Sequence, residues 1–473
     1  MLRKIKRNSF LLVLLCTVFA VNAQDASSKL YPEQFYKLVL DFHPYVQAAD
    51  VEVAKGELEK QFARGYFDPV LYGDYKSKVY GDKEYYNLLG TGLKFPTWYG
   101  VELSGGYDQN AGEYLNPENT VPDEGLWYGG IEVNLGKGLI TDERRIAIKK
   151  AEVYQEASVQ TRIYMINQLL FEAFDAYYNW VLANQNLRIR ENAIDLAEVR
   201  YENVKSSFFL GDVSAIDTVE ALLSLQSRQV DYVEAQQKVE LSELELAKYL
   251  WFDGFVPLEI TDSLKAPSFT EIESPTPIES QVIDTLARFA ELMSPAVQLS
   301  QFKLQTLALE ERYKREMVKP DVTVGYKYLG SPENETLGGI DQNYTLEAGI
   351  KYPLFTRKER ADLRMNQLDQ KAQEAKILEK QRNQTLSIYQ SYTKHTTTFQ
   401  QLGQMNEMVR GYERMVDGER QKFEMGESSL FLINTRELYL ISAEVKQAQL
   451  HYKFAMTQVE IFYKSGVLEG IYE

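Results

Sequence analysis

The residues that carry out catalysis in most enzymes are few and scattered in this chain. It contains three histidines, His43, His395 and His451, and one cysteine, Cys16. No His-x-x-x-His pair and no glycine-rich phosphate loop occurs in the sequence. Carboxylates are abundant, but acidic helices of this kind bring carboxylates together by chance. We therefore expect no catalytic site, no cofactor and no bound metal, and we expect that the protein is not an enzyme.

One spaced pattern of aromatic, glycine and hydroxyl residues does recur. Phe208-x-x-Gly211-x-x-Ser214 in the first half of the chain is matched by Phe423-x-x-Gly426-x-x-Ser429 in the second half. Glycine readily adopts the left-handed backbone that ends a helix, and serine is suited to cap the helix that follows. Asp212 and Glu427 follow the glycines, and a carboxylate also favours a helix N-terminus. The pattern predicts two tips at which one helix ends and another begins.

The first tip lies within residues 141–250, a stretch without proline and with Gly211 as its one glycine. Proline costs a helix interior about 3 kcal/mol and glycine about 1 kcal/mol relative to alanine, so their absence indicates helix. Apolar side chains recur there at helical steps, at Ile163, Ile166, Leu170, Phe174, Tyr177 and Val181. At about 1.5 Å per residue, residues 141–210 would span roughly 105 Å. We predict a long helical hairpin that turns at Gly211, with Ser214 to Asp217 capping the returning helix.

Residues 1–23 have the three parts of a secretory signal peptide. Four basic residues precede an apolar run over residues 10–20, and Val21-Asn22-Ala23 supplies the cleavage site. Cleavage removes Cys16 and four positive charges, and the formal net charge changes from −16 to −16 − 4 = −20. An acidic exported chain is a poor partner for nucleic acid. No later stretch has the roughly 20 apolar residues of a membrane-spanning helix, so a crossing of the membrane would need strands.

The order of sequence features repeats along the chain. His43-Pro44 corresponds to Ser294-Pro295, each starting a helix, and Phe67-Asp-Pro69 corresponds to Val318-Lys-Pro320, each ending one. The second half then has its own proline-free region, with Gly426 at the break. We predict a signal peptide at 1–23, a first structural repeat at 24–250, a proline-containing linker at 251–280 and a second structural repeat at 281–473.

Between the shorter and the longer helices, apolar and polar residues alternate. One face carries Leu89, Thr91, Leu93 and Phe95; Tyr99, Val101, Leu103 and Tyr107; Trp127, Ile131, Val133 and Leu135; Val322, Val324, Tyr326 and Tyr328; and Tyr344, Leu346, Ala348, Ile350 and Tyr352. With a less regular segment at about 70–80, these make six candidate strands. The alternation suits a wall between lipid and water, and it equally suits a half-buried sheet of a soluble protein.

The sequence resembles the TolC-like outer-membrane efflux proteins over nearly all of the predicted mature chain. The resemblance rests on His43-Pro44-Tyr-Val and Ser294-Pro295-Ala-Val, on the exit Tyr352-Pro353-Leu-Phe355 from the last strand, and on the glycine-tipped hairpins. The hairpins read Gly211-Asp-Val-Ser-Ala-Ile-Asp217-Thr-Val-Glu220 and Ile433-Asn434-Thr435-Arg-Glu437. The duplicated order of these motifs is more specific than any one of them.

The resemblance implies a mainly α fold of two repeats with transmembrane β-strands. Three copies would pool their strands into one outer-membrane β-barrel, and their long helical hairpins would form a periplasmic α-barrel. The protein would be the passive duct of a tripartite efflux or type I secretion system, in contact with outer-membrane lipid, a periplasmic adaptor (membrane-fusion) protein and an inner-membrane pump. The candidate docking residues for the adaptor are Phe208, Gly211, Asp212, Ser214, Asp217, Phe423, Gly426, Glu427 and Ser429.

The sequence departs from the family pattern in its number of strands. The family usually has four strands per chain, whereas six candidates occur here. The spacing from Pro44 to Pro295 is 251 residues and that from Gly211 to Gly426 is 215, so the first repeat carries 36 more residues. These residues would fit one additional hairpin and a polar loop. The hairpin either widens the barrel or packs outside it, and we expect the second.

The main alternative is a periplasmic structural or adaptor protein built from long coiled-coil hairpins. It would account for the export signal and for the helices. It would not account for two sets of amphipathic strands at the same place in a repeat.

Overall fold

The computed structural model describes residues 28–261, 264–272, 276–331 and 341–472. The predicted signal peptide, residues 1–23, lies outside the described residues. We number the principal helices and strands in chain order.

The helices follow the repeated pattern that the prolines and glycines predict. Their bounds are Pro32–Phe42 (α1), Pro44–Arg64 (α2), Glu143–Leu210 (α3), Ala215–Ala247 (α4), Ser280–Met293 (α5), Pro295–Met317 (α6), Arg357–Glu424 (α7) and Leu430–Ser465 (α8). The long helices α3 and α7 each contain 68 residues. Pro44 and Pro295 begin their helices because the missing N–H of a first-turn proline has no helical partner to lose.

Shorter elements occur near the predicted linker. Trp251–Phe252 pairs with Val256–Pro257, and Ser28–Lys29 pairs in parallel with Leu264–Lys265. Phe269–Ile272 forms one helical turn. Single turns of 3-10 helix lie at Gly65–Phe67, Pro117–Asn119 and Leu468–Gly470. The division of the chain at 250 and 280 remains a prediction.

The longer strands of the described chain form one antiparallel sheet. Their bounds are Val70–Tyr80 (β1), Lys83–Pro96 (β2), Val101–Ala111 (β3), Leu126–Asn134 (β4), Asp321–Gly330 (β5) and Tyr344–Lys351 (β6). Each strand pairs with the next, so the sheet order is β1-β2-β3-β4-β5-β6. The pairing of β4 with β5 joins the strands of the first repeat to those of the second.

The sheet corrects our expectation for the additional hairpin, which does not pack outside the other strands. β2 and β3 lie in the interior of the sheet, because β2 pairs with β1 and β3 pairs with β4. Both pairings are long, running from Val70 opposite Lys94 to Tyr80 opposite Lys83, and from Val101 opposite Val133 to Asp108 opposite Leu126. Because the backbone groups of β2 and β3 are hydrogen-bonded to strands on both sides, the hairpin is part of the sheet and does not pack elsewhere.

The described chain divides into two compact units, each with residues from both repeats. The first comprises residues up to Gln47 with Met165–Arg288 and Leu386–Glu473, and the second comprises Ala48–Tyr164 and Phe289–Thr385. The long helices α3 and α7 contribute to both units.

The first unit has an aromatic core. Phe35 stacks on Tyr177 with ring centroids 5.0 Å apart, and Phe174 meets Phe35 edge-on. Tyr177 is fully buried, and its hydroxyl donates to the carbonyl of Leu30 at 2.7 Å. Such aromatic pairs add about 0.5–1.5 kcal/mol to the stabilisation from burial alone. The core fixes α1 against the middle of α3.

The second unit contains the sheet, and its helices approach through small and polar residues. Gly56 of α2 faces Ser158 of α3 so closely that an added Cβ would collide with the serine. Lys150 of α3 and Glu310 of α6 form an ion pair at 2.6 Å. Throughout the part of the chain that the structure describes, no helix combines the length and the apolar composition needed to cross a lipid bilayer.

Candidate functional site

Both predicted tips are helix ends of the same geometry. Gly211 has a φ of +84°, its N–H donates to the carbonyl of Phe208, and the N–H of Asp212 donates to the carbonyl of Ser207. Gly426 has a φ of +79°, and its turn has the same two bonds at equivalent positions. This pair of bonds is the Schellman motif, which satisfies the last carbonyls of a helix and requires a left-handed residue. The prediction that these glycines are turn residues is confirmed.

The serines begin the returning helices, as the sequence predicts. Ser214 precedes α4, and Asp217 accepts hydrogen bonds from the backbone N–H of Ser214 at 3.0 Å and from its hydroxyl at 2.7 Å. Ser429 precedes α8, and its hydroxyl accepts from the N–H of Leu432 at 3.4 Å. These three side chains therefore have a local capping role. Asp212 and Glu427 are exposed at the turns themselves.

The two tips pack against each other. Val204 of α3, Ala221 of α4 and Leu430 of α8 form a buried apolar cluster, and Phe423 of α7 packs against it. Phe423 is thus partly a core residue, whereas Phe208 is 39% exposed. The structure therefore brings the predicted tip segments of both repeats together within the first unit.

The most exposed apolar side chains of the tips are residues that sequence reasoning did not select. Phe209 and Leu210 are 77% and 78% exposed, immediately before Gly211. Ile216, Met425 and Phe431 are also largely exposed. The sequence signal was present, since Phe208-Phe209-Leu210 is an apolar run just before a turn glycine, where polar residues are usual. An apolar patch at a helical turn is typical of an interaction surface.

A buried ionic network lies behind the tips. Glu437 of α8 is 4% exposed and accepts two hydrogen bonds from Arg200 of α3, one of them at 2.9 Å. Arg420 of α7 donates to it at 3.0 Å, and Arg228 of α4 donates at 3.5 Å. Asn434 accepts from Arg200 at 2.9 Å. The network thus contacts all four helices that lead to the tips.

Burial and neighbouring charges shift the pKa values of Glu437 and Arg228 in this network. Burial alone would raise the pKa of Glu437, but the hydrogen bonds and charges of the arginines, led by Arg200, hold it below its ordinary value. Burial lowers the pKa of the Arg228 guanidinium, and Glu437 opposes that shift. Glu437 and Asn434 were named in the sequence only as part of a family motif. Their partners could not be identified from spacing, because Arg200 lies 237 residues from Glu437.

The sheet has one apolar and one polar face, as the alternation predicts. The pairing places Leu93, Leu103, Ile131 and Tyr326 on one face. The opposite face carries Lys94, Glu102, Glu132, Lys327 and Glu347. On this face Lys94 lies 3.7 Å from Glu102, and Lys327 lies 3.7 Å from Glu347. A sheet with such a division can separate an apolar phase from water.

The histidines do not converge on a common centre. His395 is fully buried, its Nδ1 lies 3.0 Å from the hydroxyl of Thr457, and its Nε2 accepts from the N–H of Ile278 at 3.4 Å. Burial lowers the pKa of His395, and it does the same for His43 and His451. Among the described residues, no group of three or more histidine, aspartate, glutamate or cysteine side chains is placed to hold a metal ion.

Comparison with known proteins gives no match by sequence and clear matches by structure. No family model and no curated protein matches the amino-acid sequence. The Campylobacter jejuni CmeC outer membrane channel matches with a TM-score of 0.64 and 13% identity, over 95% of this chain and 90% of CmeC. The open state of the Neisseria gonorrhoeae MtrE outer membrane channel matches with a TM-score of 0.67 and 14% identity, over 93% of this chain and 90% of MtrE.

The chain has the TolC-like fold of outer-membrane channels. The outer membrane protein VceC of Vibrio cholerae is a further match, with a TM-score of 0.64 and 14% identity over 93% of this chain and 96% of VceC. In all three cases the TolC-like fold extends over both repeats, so the fold class expected from the sequence is confirmed.

Proposed function

We propose that the protein is a passive export channel of the outer membrane, with a long periplasmic extension. The observation that carries the proposal is the two-faced sheet, joined in sequence to duplicated helical hairpins of the TolC-like fold. The apolar face suits lipid and the polar face suits water. Transport through such a duct requires no catalytic group in this chain.

We further propose that the channel is a homotrimer that works with a periplasmic adaptor and an inner-membrane pump, for efflux or type I secretion. The strand arrangement supports the oligomer, because an open sheet in lipid would leave backbone groups unpaired. Energy for export would come from the pump.

The tips are the proposed contact with the adaptor. The candidates from the sequence are Phe208, Gly211, Asp212, Ser214, Asp217, Phe423, Gly426, Glu427 and Ser429. The exposed side chains of Phe209, Leu210, Ile216, Met425 and Phe431 join them. In this proposal the glycines and serines shape the turns, and the exposed apolar side chains supply the contact.

Membrane fractionation and gel mobility test the proposed channel. The tagged mature protein should sediment with the outer membrane, require detergent for extraction, and migrate unheated at about three times the mass of the heated chain. A soluble periplasmic monomer or dimer would contradict the channel. That result would favour the structural or adaptor alternative.

Photocrosslinking tests the proposed docking surface. A photoreactive phenylalanine analogue at Phe209 should cross-link to a membrane-fusion adaptor in cells, and Phe209→Ser should weaken export while Phe209→Leu should preserve it. All variants must first show the trimer mobility. Normal export by the serine variant would contradict docking through this patch.

A further inference from the structure

The β2–β3 hairpin is an insertion into the wall of the sheet, as a comparison of the two repeats shows. In the second repeat, one strand follows α6 and one precedes α7; in the first repeat, β1 follows α2 and β4 precedes α3. β1 and β4 are thus the counterparts of β5 and β6. β2 and β3 have no counterpart among the described strands, and they lie between β1 and β4.

A row of four residues on the polar face ties the inserted hairpin to the strands on both sides. Tyr72 of β1 is paired with Gly92, Gly92 with Gly106, and Gly106 with Tyr128 of β4. The two tyrosines lie over the two glycines, and their hydroxyl groups form a hydrogen bond. A Cβ on either glycine would collide with a tyrosine side chain. The glycines are therefore what allows the tyrosines to lie flat along this wall.

The two edges of the sheet are complementary. Among the described residues, β1 pairs with β2 alone and β6 pairs with β5 alone, so each has one unpaired edge. Residues of β1 and β6 are almost all exposed. All five pairings are antiparallel, so β1 and β6 run in opposite directions. β1 of one copy can therefore continue the sheet of a second copy by pairing with its β6.

We propose that three copies close an eighteen-stranded wall through β1–β6 contacts, and that the β2–β3 hairpin widens the duct for bulky hydrated solutes. This inference rests on the proposed trimeric channel. Without β2 and β3 the same wall would have twelve strands. Barrel diameter grows roughly linearly with strand number, so the insertion widens the wall about 1.5-fold and its cross-section about twofold. The polar residues on the inserted strands, such as Lys94, Glu102 and Ser104, would face the solute.

Disulfide cross-linking tests the β1–β6 contact in the full chain. The predicted mature chain has no cysteine of its own. Cysteine would replace Leu71, Gly73 or Tyr75 of β1 in combination with Tyr344, Leu346 or Ala348 of β6, nine double variants in all. We expect covalent dimers and trimers from the pairs in register. The control pairs Thr91→Cys of β2 with Leu346→Cys and should give no product between copies.

The outcomes separate this inference from the proposed channel. A protein that fractionates as an outer-membrane trimer but gives no product between copies from any pair overturns the inference and leaves the channel standing. Cross-links within one chain would also overturn it, because the sheet would then close on itself. A soluble monomer would overturn both.

Labelling of the inserted hairpin tests which face meets water. Ser104→Cys on the polar face should react with a water-soluble maleimide in intact cells. Leu103→Cys, its neighbour on the apolar face, should react only with a lipid-soluble maleimide. Equal reactivity of the two positions would contradict a wall in which β3 separates lipid from water.

The size limit tests the widening itself. Replacing residues 76–124 by Asn-Gly removes the hairpin together with the last five residues of β1, and it leaves Tyr72 facing Tyr128 across the new β1–β4 pair. Glu347→Cys on the polar face of β6 would then be labelled with maleimide–polyethylene glycol of increasing length, with and without the excision. We expect a larger size limit in the full chain, provided both proteins show trimer mobility. Equal size limits in the two proteins would overturn the widening. If the excised chain does not fold, the β1–β6 disulfide cross-links decide whether the eighteen-stranded wall is correct.

Discussion

Replacement of Glu437 by glutamine removes the carboxylate that three arginines share. The change keeps the size of the side chain but leaves Arg228, which is 4% exposed, without its anionic partner. Removing one member of a buried ion pair typically costs about 3–5 kcal/mol. Arg420 is partly exposed and can be solvated after the change, so we expect the lower end of that range, about 3 kcal/mol.

Hydrogen exchange measured by mass spectrometry would detect this loss where it occurs. A loss of about 3 kcal/mol corresponds to roughly a hundredfold faster exchange through local opening. The effect should be confined to the tip ends of α3, α4, α7 and α8. Glu407→Gln is the matched control, because Glu407 pairs with Arg410 at 2.9 Å but both side chains are largely exposed. We expect no measurable change from the control.

Arg228→Met provides a second comparison. Its Nε and Nη1 atoms are buried without hydrogen-bond partners in the described structure, and Glu437 keeps Arg200 and Arg420 after the change. An apolar side chain of similar length should therefore cost much less than Glu437→Gln. If Glu437→Gln exchanges no faster than the control, or if Arg228→Met is the more damaging change, the reasoning about the network is wrong.

Three further predictions concern single residues. Gly211→Ala should lower the stability of the tip by about 1–2 kcal/mol, because an added Cβ has space there but alanine is strained in the left-handed backbone. Faster hydrogen exchange at the tip would show this loss. The control Gly403→Ala, inside α7, should be neutral or stabilising. Gly106→Ala should lower the temperature at which the proposed trimer dissociates on gels, because the methyl group displaces a tyrosine, whereas Gly129→Ala meets no atom and should not. Burial lowers the folded-state pKa of His395, so its contribution to the free energy of unfolding is present above the ordinary histidine pKa and is lost as the pH falls through and below that value. We therefore expect His395→Gln to make the free energy of unfolding, measured with urea, less dependent on pH between 7 and 5. The pH dependence should fall by up to about 1.4 kcal/mol per pH unit.

The elements that the sequence predicted well are those with local causes. Pro44 and Pro295 begin helices, and Gly211 and Gly426 end them, because each acts on its own backbone. Period-two alternation likewise assigned the strand faces correctly, since side chains on a strand must alternate. The positions of both tips therefore follow from the sequence alone.

The errors and omissions concern partners distant in sequence. The position of the β2–β3 hairpin depends on which strands pair, and neither the length nor the alternation of a strand specifies its neighbour. The network around Glu437 depends on contacts between four helices. The exposure of Phe209 and Leu210 depends on how the two tips pack against each other. The apolar sequence of residues 208–210 does not by itself indicate whether these side chains are buried or exposed.

The unpaired edges of β1 and β6 have a consequence for how the protein is made. An exposed edge strand is a template on which other chains can add strands, and β6 is exposed along all eight of its residues. A newly exported single copy would therefore carry two such templates, of opposite direction, until it meets its neighbours. In the proposed trimer, assembly would protect the chain from aggregation as well as complete its wall, and copies produced faster than they assemble should accumulate as insoluble material in the periplasm.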